Sequence, residues 1–385
     1  MCGRAGDESA QNWEEPMKLN TTFAKVLALG ATLALTGGGA MAKEITYVTY
    51  ITPTHPIMKY AYYPYVERIK EQTDGEITIE VYTGGSLGGS KELLPNVRAG
   101  VVDSATLVPI YTSADLPTLS AIGGLMAAVS DPRAGLAAAN EVAMLRCPEC
   151  LEQADKNNFI SLALGGGGPY ALMCTKPVVT LEDLKGVKIR ATSSVGNVFA
   201  QLGGTPVAVG AGETYEALQR GQVDCVAGPT SWMESFNLKE MVKYVTDLKF
   251  GVAFSTIISD MNTSVWKGLT EQQRQVFIDN SAKLVADQTY GYMHDDQTVL
   301  EAGLADGIEL LKPSDDLLAA LKTLQQGEFT RVTEMEMERG TPGVEAAIEA
   351  YRVAYDKWLG IVEEIGEGNP EAYEKALQDE IFSKL

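Results

Sequence analysis

Runs of hydrophobic and polar residues near the start of the chain follow two different spacings. The run EITYVTYITPTHP is rich in β-forming residues, and EITIEVYTGG alternates between apolar and polar positions as a β-strand does. Residues 57–72, between these runs, carry apolar and aromatic side chains at helical spacing. A short helical pattern, KELLPNVRAG, and a strand pattern, VVDSATLVPIY, come next. This β-α-β-α-β order predicts a mostly parallel sheet with helices on its faces.

A second α/β unit is predicted to begin near Phe159. The apolar run FISLALGGGGPYALMC is interrupted by glycines at 165–168, which we expect to permit a bend between two rigid bodies. Strand patterns in VKIRA and VDCVAGP then alternate with helical patterns in SVGNVFAQLGG and ETYEALQRGQ. From Thr270 onward the pattern predicts long helices without strands. We therefore expect an α/β fold of two lobes with a hinge and a ligand cleft between them, followed by long C-terminal helices.

The N-terminal segment has the pattern of an export signal. Residues 17–42 combine two lysines, an apolar run of ten residues and small residues that end at Ala42. That run is shorter than the roughly 20 residues that a membrane-spanning helix needs. We expect 17–42 to be a signal peptide that is cleaved after Ala42, and the mature protein to be periplasmic. Residues 1–16 are acidic where a signal should be basic, so we interpret them as a start-site artefact.

The composition argues against nucleic-acid binding and against enzymatic activity. The 385 residues include 51 Asp and Glu against 31 Lys and Arg, a formal net charge of −20, and such a surface repels nucleic acids and anionic lipid headgroups. The two histidines leave few sites for imidazole chemistry or metal ligation. We therefore expect no nucleic-acid partner and no cofactor, and a binding function rather than enzymatic activity.

Four cysteines remain once the leader segment is removed. The CPEC at 147–150 fits a redox motif or half of a zinc site as well as a local disulfide, but no second CxxC and no neighbouring histidine completes a metal site. We expect a structural disulfide between Cys147 and Cys150. Cys174 and Cys225 lie in the strand patterns YALMC and VDCVA, and we expect them to pair within one sheet.

Two short motifs point to other functions. The stretch GGSLG at 84–88 matches the G-x-S-x-G nucleophile elbow of serine hydrolases, but only His294 follows it, inside an acidic helical pattern. A secreted serine hydrolase with Ser86 as nucleophile stays as a remote alternative. The stretch GGGPYA contains a loose dinucleotide-binding pattern, but a strand follows it where that motif needs a helix.

Several stretches that span nearly all of the mature chain form one combination. They are His55-Pro56 after the first strand, TDGEITIEVYTGGSLGG, LPNVRAGVVDSA, and the block LEDLKGVKIRATSSVGNVFAQLGGTPVAVGAGETYEALQRGQVDCVAGP. Together they resemble the DctP-type periplasmic substrate-binding subunits of tripartite ATP-independent periplasmic (TRAP) transporters. The stretch SVWKGLTEQQRQVFIDNSAKL is similar to the segment with which that family returns to its first lobe.

The resemblance implies a periplasmic binding protein of the type II-like architecture. Residues 43–166 and 252–295 would form lobe I, and residues 167–251 and 296–385 would form lobe II with the C-terminal helices. The implied function is an extracytoplasmic solute receptor that binds an organic acid and delivers it to the small and large membrane subunits of a TRAP transporter. We expect a monomer rather than a dimer. A binding subunit of an ABC importer and a ligand sensor are alternatives that neighbouring genes would separate from the TRAP receptor.

The central residue of the resemblance falls on Arg190, at the end of the strand pattern VKIRA. In the family, the equivalent arginine forms a two-pronged salt bridge with the carboxylate of the bound organic acid. A guanidinium presents paired donors at the spacing of carboxylate oxygens, so its chemistry agrees with that role. Pairing of Arg190 with an acidic surface residue is the alternative interpretation.

The chain departs from the family pattern at two places. Many members carry a second arginine where this chain has Gly168-Pro169-Tyr170, and an asparagine before proline where it has Gly228-Pro229. Aromatic residues lie nearby instead, although each is also compatible with a hydrophobic core. We therefore expect a carboxylate ligand with an apolar or aromatic body. Besides Arg190, the candidate ligand-binding residues are His55, Tyr111, Tyr170, Asn197, Tyr215, Trp232 and Phe236.

Overall fold

The computed structural model of the protein describes residues 42–385. Residues 1–16 and the predicted signal peptide, apart from Ala42, lie outside the described residues, and cleavage after Ala42 stays a prediction. Within residues 42–385, none of the helices combines the length and the apolar character needed to cross a membrane.

The strands of residues 42–385 form three sheets. In chain order they are β1 (Lys43–Val48), β2 (Ile77–Tyr82), β3 (Ser104–Ala105), β4 (Phe159–Gly165), β5 (Ala171–Cys174), β6 (Lys188–Arg190), β7 (Thr205–Val207), β8 (Cys225–Gly228), β9 (Tyr244–Thr246), β10 (Thr256–Asn262) and β11 (Glu309–Leu311). The predicted α/β fold with two lobes is confirmed, since one group of strands precedes the glycine-rich crossover and another follows it.

The α-helices cover both groups of strands. They are α1 (Tyr63–Gln72), α2 (Leu93–Ala99), α3 (Pro117–Gly123), α4 (Pro132–Glu141), α5 (Pro148–Lys156), α6 (Leu181–Leu184), α7 (Ser193–Gln201), α8 (Thr214–Gln219), α9 (Trp232–Ser235), α10 (Thr263–Lys267), α11 (Glu271–Asp279), α12 (Ser281–Ala305), α13 (Asp315–Gln326), α14 (Glu328–Glu338), α15 (Val344–Ile365) and α16 (Pro370–Glu380). The predicted first helix begins with a wide π-type segment, Ile57–Tyr62, before α1.

The first sheet is parallel, in the order β2-β1-β3, as its β-α-β-α-β pattern predicts. The strand predicted in VVDSATLVPIY is much shorter in the structure. It pairs only over β3 and through an isolated bridge between Leu107 and Ile257, and a 3₁₀ turn follows at Pro109–Tyr111. Proline lacks a backbone N–H and fixes φ, which explains why the pairing ends there. The bridge links this sheet to the antiparallel pair of β4 and β10.

The second large sheet has six strands in the order β11-β9-β5-β8-β6-β7. Its members β8, β6 and β7 are parallel to one another, whereas β5 runs antiparallel to both of its neighbours. The expectation of a C-terminal region without strands is wrong at one place, because β11 pairs with β9 at the edge of this sheet. β11 has only three residues, two of them exposed, so it is too short to show an alternating pattern in the sequence.

The glycines at 165–168 allow close packing of chain segments. A Cβ atom at Gly166 would overlap the carbonyl of Ala253, and one at Gly168 would overlap the carboxylate of Asp296. None of the four glycines adopts a left-handed backbone. The absence of side chains at these glycines therefore lets the crossover pack closely against neighbouring segments. This role differs from the backbone freedom that we predicted.

The longest C-terminal helix, α15, packs against α3 and α4, which belong to the first lobe of our prediction. Its buried stripe includes Ile348, Tyr351 and Trp358, and every residue of α4 is buried. We predicted that the C-terminal helices accompany lobe II, and α15 contacts helices of the predicted lobe I as well. The lobe boundaries themselves stay a prediction.

Both expected disulfides are present among the described residues. Cys147 and Cys150 are joined within one turn at the start of α5, with their Cα atoms 5.2 Å apart. Cys174 and Cys225 face each other across the β5–β8 pair, with a Cα separation of 4.1 Å. The second disulfide therefore links the strand that enters the six-stranded sheet from the crossover to a central strand of that sheet.

Candidate functional site

Arg190 ends β6, between β8 and β7, and its side chain is directed into the molecule. The residue is 1% exposed. Its Nε atom donates to the carbonyl oxygen of Val209 at 2.9 Å, and Nη1 lies 3.5 Å from the carbonyl oxygen of Ala227. Nη2 donates to the hydroxyl oxygen of Tyr111 at 3.2 Å, and Tyr111 belongs to the predicted first lobe. The guanidinium is therefore held in one orientation by groups from both sides of the cleft.

The buried guanidinium has no carboxylate partner among residues 42–385. No Asp or Glu oxygen lies within 4.0 Å of its nitrogens, although many other arginines of the chain form such pairs. An arginine side chain carries five N–H groups, and the three contacts of Arg190 leave at most two of them for a ligand, because the hydroxyl of Tyr170 also lies close to the guanidinium. Burying a cation in this way is unfavourable unless an anion compensates it, so the arrangement is suited to an anionic ligand.

Aromatic side chains form a wall beside the guanidinium. The indole of Trp232 lies with its ring centre 5.0 Å from Arg190 Cζ, within the range of a cation–π contact. Tyr170 and Phe236 pack edge-on against Trp232, at ring distances of 5.9 and 5.3 Å. His55 follows at 5.6 Å from Phe236. These contacts leave an apolar surface next to a single positive charge.

A cavity of about 60 Å³ lies between this wall and the first sheet. Five of the residues proposed from the sequence line it: His55, Tyr111, Tyr170, Trp232 and Phe236. Its lining contains hydroxyl, apolar and aromatic groups but, among the described residues, no carboxylate and no lysine. The lining itself is therefore neutral, and the guanidinium of Arg190, which is not part of the lining, lies behind Tyr111 and Trp232.

Two other predicted residues lie elsewhere. Asn197 is exposed on α7 and lines a neighbouring cavity of about 490 Å³, which meets the smaller one at Tyr111 and Thr192. Tyr215 does not line the small cavity, and its hydroxyl donates to Glu240 at 3.0 Å in an exposed hydrogen bond. The structure thus separates Tyr215 from the other aromatic candidates.

Two tyrosines that the sequence analysis did not propose also line the small cavity, Tyr50 and Tyr292. Tyr50 follows β1 directly, at the carboxyl end of a parallel strand, where α/β proteins usually bind ligands. That position is a signal that could have identified it. Tyr292 lies within α12, and its helical pattern gives no indication that its ring reaches the cavity.

Gly228 explains how Trp232 reaches the cavity. A Cβ atom at position 228 would overlap the six-membered ring of the indole, so Trp232 lies directly on the glycine backbone. The departure from asparagine at this position therefore replaces a polar side chain with space for a large aromatic one.

Burial controls the protonation of the groups around the cavity. It lowers the pKa of His55 to about 3, so this imidazole is neutral at physiological pH. Burial raises the pKa of Tyr170 to about 12, against the opposing effect of the nearby Arg190 charge. On α12, burial raises the pKa of Asp296 to about 7, although the N–H of Ser231 donates to its carboxylate at 2.8 Å.

The features of the hydrolase alternative do not come together. Ser86 is exposed in the loop after β2, and within the described residues it forms no hydrogen bond with either histidine. Helix α2 begins only at Leu93, so the sharp strand-to-helix turn of a nucleophile elbow is missing from residues 83–92. Across residues 42–385, no group of three or more His, Cys, Asp or Glu side chains is arranged to hold a metal ion.

Several known solute-binding proteins are similar to this chain in sequence or in structure. A solute-binding protein of Roseobacter denitrificans is 26% identical over 271 residues, which cover 69% of this chain and 81% of the relative. A TRAP solute-binding protein of Rhodoferax ferrireducens, solved with copurified benzoate, superposes with a TM-score of 0.73 at 21% identity, over 83% of this chain and 99% of that chain. A TRAP solute-binding protein of Pseudomonas putida, solved with D-glucuronate, gives a TM-score of 0.62 at 20% identity, over 77% and 96% of the two chains.

The family model for bacterial extracellular solute-binding proteins of family 7, DctP, matches residues 47–334. The matched region begins within β1 and ends within α14, so it includes both large sheets and every residue around the cavity. The chain therefore belongs to the DctP family of bacterial extracellular solute-binding proteins.

Proposed function

We propose that this receptor binds an organic acid whose carboxylate pairs with Arg190, and that the body of the acid is apolar or aromatic. The ligand lies in the cavity of about 60 Å³ and extends toward the larger cavity beyond Tyr111. The family consists of solute-binding receptors, so the chain acts by binding and release rather than by catalysis.

One observation carries the proposal. Arg190 is buried behind the cavity lining, in contact with the lining residues Tyr111 and Trp232. It has no carboxylate partner within 4.0 Å among the described residues, and at most two of its N–H groups are left for a ligand. A carboxylate compensates the charge and accepts paired hydrogen bonds from a guanidinium in a planar geometry. Neutral ligands would leave the buried cation uncompensated.

The lining supports the nature of the ligand body. Trp232, Tyr170 and Phe236 present ring surfaces, and the described lining contains no lysine or arginine that could pair with a further carboxylate. Sugar acids carry several hydroxyl groups, and each group that faces the indole would lose a hydrogen bond with water. Benzoate-like acids bring a flat apolar body instead, which gains from contact with aromatic rings.

Replacing Arg190 with alanine tests the proposal. Wild-type protein would be titrated by calorimetry with benzoate, mandelate, succinate and D-glucuronate, and we expect only the first two to bind. Removing one partner of a buried ion pair costs roughly 2 to 5 kcal/mol, so Arg190→Ala should weaken binding by about 30-fold to several thousand-fold. Arg190→Lys should restore part of the loss, because an ammonium group cannot form the paired contact.

The matched control is Tyr215→Phe, which removes the hydroxyl of an aromatic residue outside the cavity and should leave affinity unchanged. Circular dichroism would establish that each variant is folded. A folded Arg190→Ala protein with near wild-type affinity would contradict the assignment of the carboxylate site. Binding of D-glucuronate or succinate alone would contradict the proposed ligand body.

The cellular setting follows from the family and from the leader sequence. We place the mature protein in the periplasm, after cleavage behind Ala42, where it would deliver its ligand to the membrane subunits of a TRAP transporter. Intact mass of the exported protein tests the cleavage site, and disruption of neighbouring TRAP genes should abolish uptake of the acid.

A further inference from the structure

The hydroxyl group of Tyr292 lies at a junction of three side chains that all line the small cavity. Tyr292 is 2% exposed and extends from α12. Its oxygen is 3.0 Å from Nε1 of Trp232 and 3.2 Å from Nε2 of His55. The roles of these groups as donors and acceptors follow from their chemistry.

Trp232 supplies the first hydrogen bond. An indole nitrogen is a donor only, so Trp232 Nε1–H donates to the oxygen of Tyr292. This contact occupies one of the two acceptor positions of the hydroxyl oxygen.

His55 supplies the second hydrogen bond because of its tautomer. The backbone N–H of Ile57 donates to Nδ1 of His55 at 3.3 Å, so Nδ1 carries no proton. The imidazole is neutral at physiological pH, since burial lowers its pKa to about 3. A neutral imidazole without a proton on Nδ1 has one on Nε2, so Nε2–H donates to Tyr292 as well.

The hydroxyl of Tyr292 must then donate its own hydrogen elsewhere. Both acceptor positions of its oxygen are filled, and a hydroxyl has one further interaction, through its hydrogen. Among residues 42–385 its contacts within hydrogen-bond distance are the two donors described above, so the protein supplies no acceptor. A buried donor without an acceptor is unfavourable, and the adjoining open space is the cavity.

We propose that Tyr292 donates a hydrogen bond to an oxygen atom of the bound ligand, and that His55 and Trp232 hold its hydroxyl in the donor role. This inference rests on the proposed function and adds a requirement to it. The acid must present an acceptor oxygen to Tyr292, either from its carboxylate or from a hydroxyl group close to the carboxylate. Ligands that present only C–H or N–H groups at this point are disfavoured.

The tautomer of His55 tests the inference without any ligand. Protonated and unprotonated ring nitrogens have well-separated nitrogen-15 chemical shifts, and the chain contains only His55 and His294. A His294→Gln variant, at an exposed position of α12, assigns the signals. We expect a proton on Nε2 of His55. A proton on Nδ1 would let Tyr292 donate to His55, and this result would overturn the inference whether or not an acid binds.

The second test compares two acids and two tyrosine variants. Benzoate offers only carboxylate oxygens, whereas mandelate adds a hydroxyl group. Tyr292→Phe should weaken binding about tenfold, for both acids if the carboxylate accepts the bond and for mandelate alone if the hydroxyl accepts it. The control is Tyr290→Phe on the same helix, whose ring packs against Tyr373 away from the cavity. Unchanged affinity of Tyr292→Phe for both acids would refute the role of Tyr292.

Failure of the inference can be distinguished from failure of the proposed function. If Arg190→Ala loses binding while Tyr292→Phe does not, the carboxylate site stands and only the role of Tyr292 is refuted. If Arg190→Ala binds normally, the proposed carboxylate site is refuted. Circular dichroism of Tyr292→Phe shows whether a loss of affinity comes from a change in fold.

Discussion

Two buried charged side chains in different parts of the molecule differ in their partners within the chain. Glu141, at the end of α4, is 1% exposed, and its carboxylate contacts Arg146 at 2.6 Å, Lys357 at 2.5 Å and Trp358 Nε1 at 2.8 Å. Arg190, in the cleft, is equally buried, but its polar contacts are with two carbonyl oxygens and a tyrosine hydroxyl, and its guanidinium lies against the indole of Trp232. The helical layer of α4 and α15 neutralises the charge of Glu141 from within the chain, whereas no carboxylate among the described residues pairs with Arg190, and we propose that a ligand neutralises it.

Two carboxyl groups, one in each region, have pKa values that are shifted in opposite directions. Burial alone would raise the pKa of Glu141, but its bonds with Lys357 and Trp358 and the charge of Arg146 bring that pKa below its ordinary value. Burial raises the pKa of Asp296, behind the cleft, to about 7. Burial of a charge therefore identifies a functional group only when its partners within the protein are incomplete.

The largest expected effect is on stability in the helical layer. Glu141→Gln removes the negative charge, and Lys357 and Arg146 lose a buried partner. Both cations reach solvent, so the loss should be smaller than for a fully buried pair. We expect the free energy of unfolding to fall by about 2 to 3 kcal/mol, measured by urea denaturation, with ligand affinity unchanged.

The control for this change is Glu349→Gln on α15, which removes one partner of the exposed pair with Arg352. Exposed pairs contribute about 0 to 1 kcal/mol, so this variant should remain close to wild type. A Glu141→Gln protein as stable as the Glu349→Gln protein would mean that the comparison between the two buried charges does not hold.

A smaller effect is expected in the cleft from Gly228→Ala. The added methyl group would overlap the indole of Trp232 and must displace it. Overpacking of this kind costs about 1 to 3 kcal/mol, and we expect affinity for benzoate to fall about tenfold in calorimetry. Gly360→Ala on α15 is the matched control, because a Cβ atom there meets no neighbouring atom within 4 Å. Equal affinities for the two alanine variants would argue against a role of the indole position.

The smallest expected effect concerns pH. A carboxyl group with a raised pKa in the folded state stabilises the fold below its unfolded pKa, and this contribution is lost as pH rises through the folded value. For Asp296 the window runs from 3.8 to about 7. Because this side chain is partly accessible, we expect a loss of about 1 kcal/mol across that window, and Asp296→Asn should remove it.

The measurement is urea denaturation of wild-type and Asp296→Asn protein at several values between pH 4 and pH 8. The two proteins are compared only by the slope of their free energy of unfolding against pH, because the amide changes local hydrogen bonding at every pH. Glu141 should act in the opposite direction, since a carboxylate with a lowered pKa loses its contribution as pH falls. Parallel pH profiles for the two Asp296 proteins would refute the raised pKa.

Much of the fold could be predicted from local patterns, and the exceptions have physical causes. The strand in VKIRA and the helix in SVGNVFAQLGG are present as expected, because alternation and helical spacing are local signals. Helix α4 gave no amphipathic pattern, since it is buried on all sides. The strand β11 is short and exposed, and pairing with a distant strand creates it.

The candidate site was predictable only in part for a similar reason. Arg190 ends one strand and Trp232 follows another strand of the same sheet, so their positions along the chain indicate the cleft. Tyr292 reaches the cavity from α12, far along the chain from its partner His55, which precedes the first helix. Contacts between such distant segments depend on packing that no local pattern encodes.

The seating of Trp232 on Gly228 also constrains how this receptor can change during evolution. A Cβ atom at position 228 overlaps the indole, so a larger side chain at 228 fits well only together with a smaller residue at 232. Substitutions at the two positions should therefore not be additive, which makes them an epistatic pair.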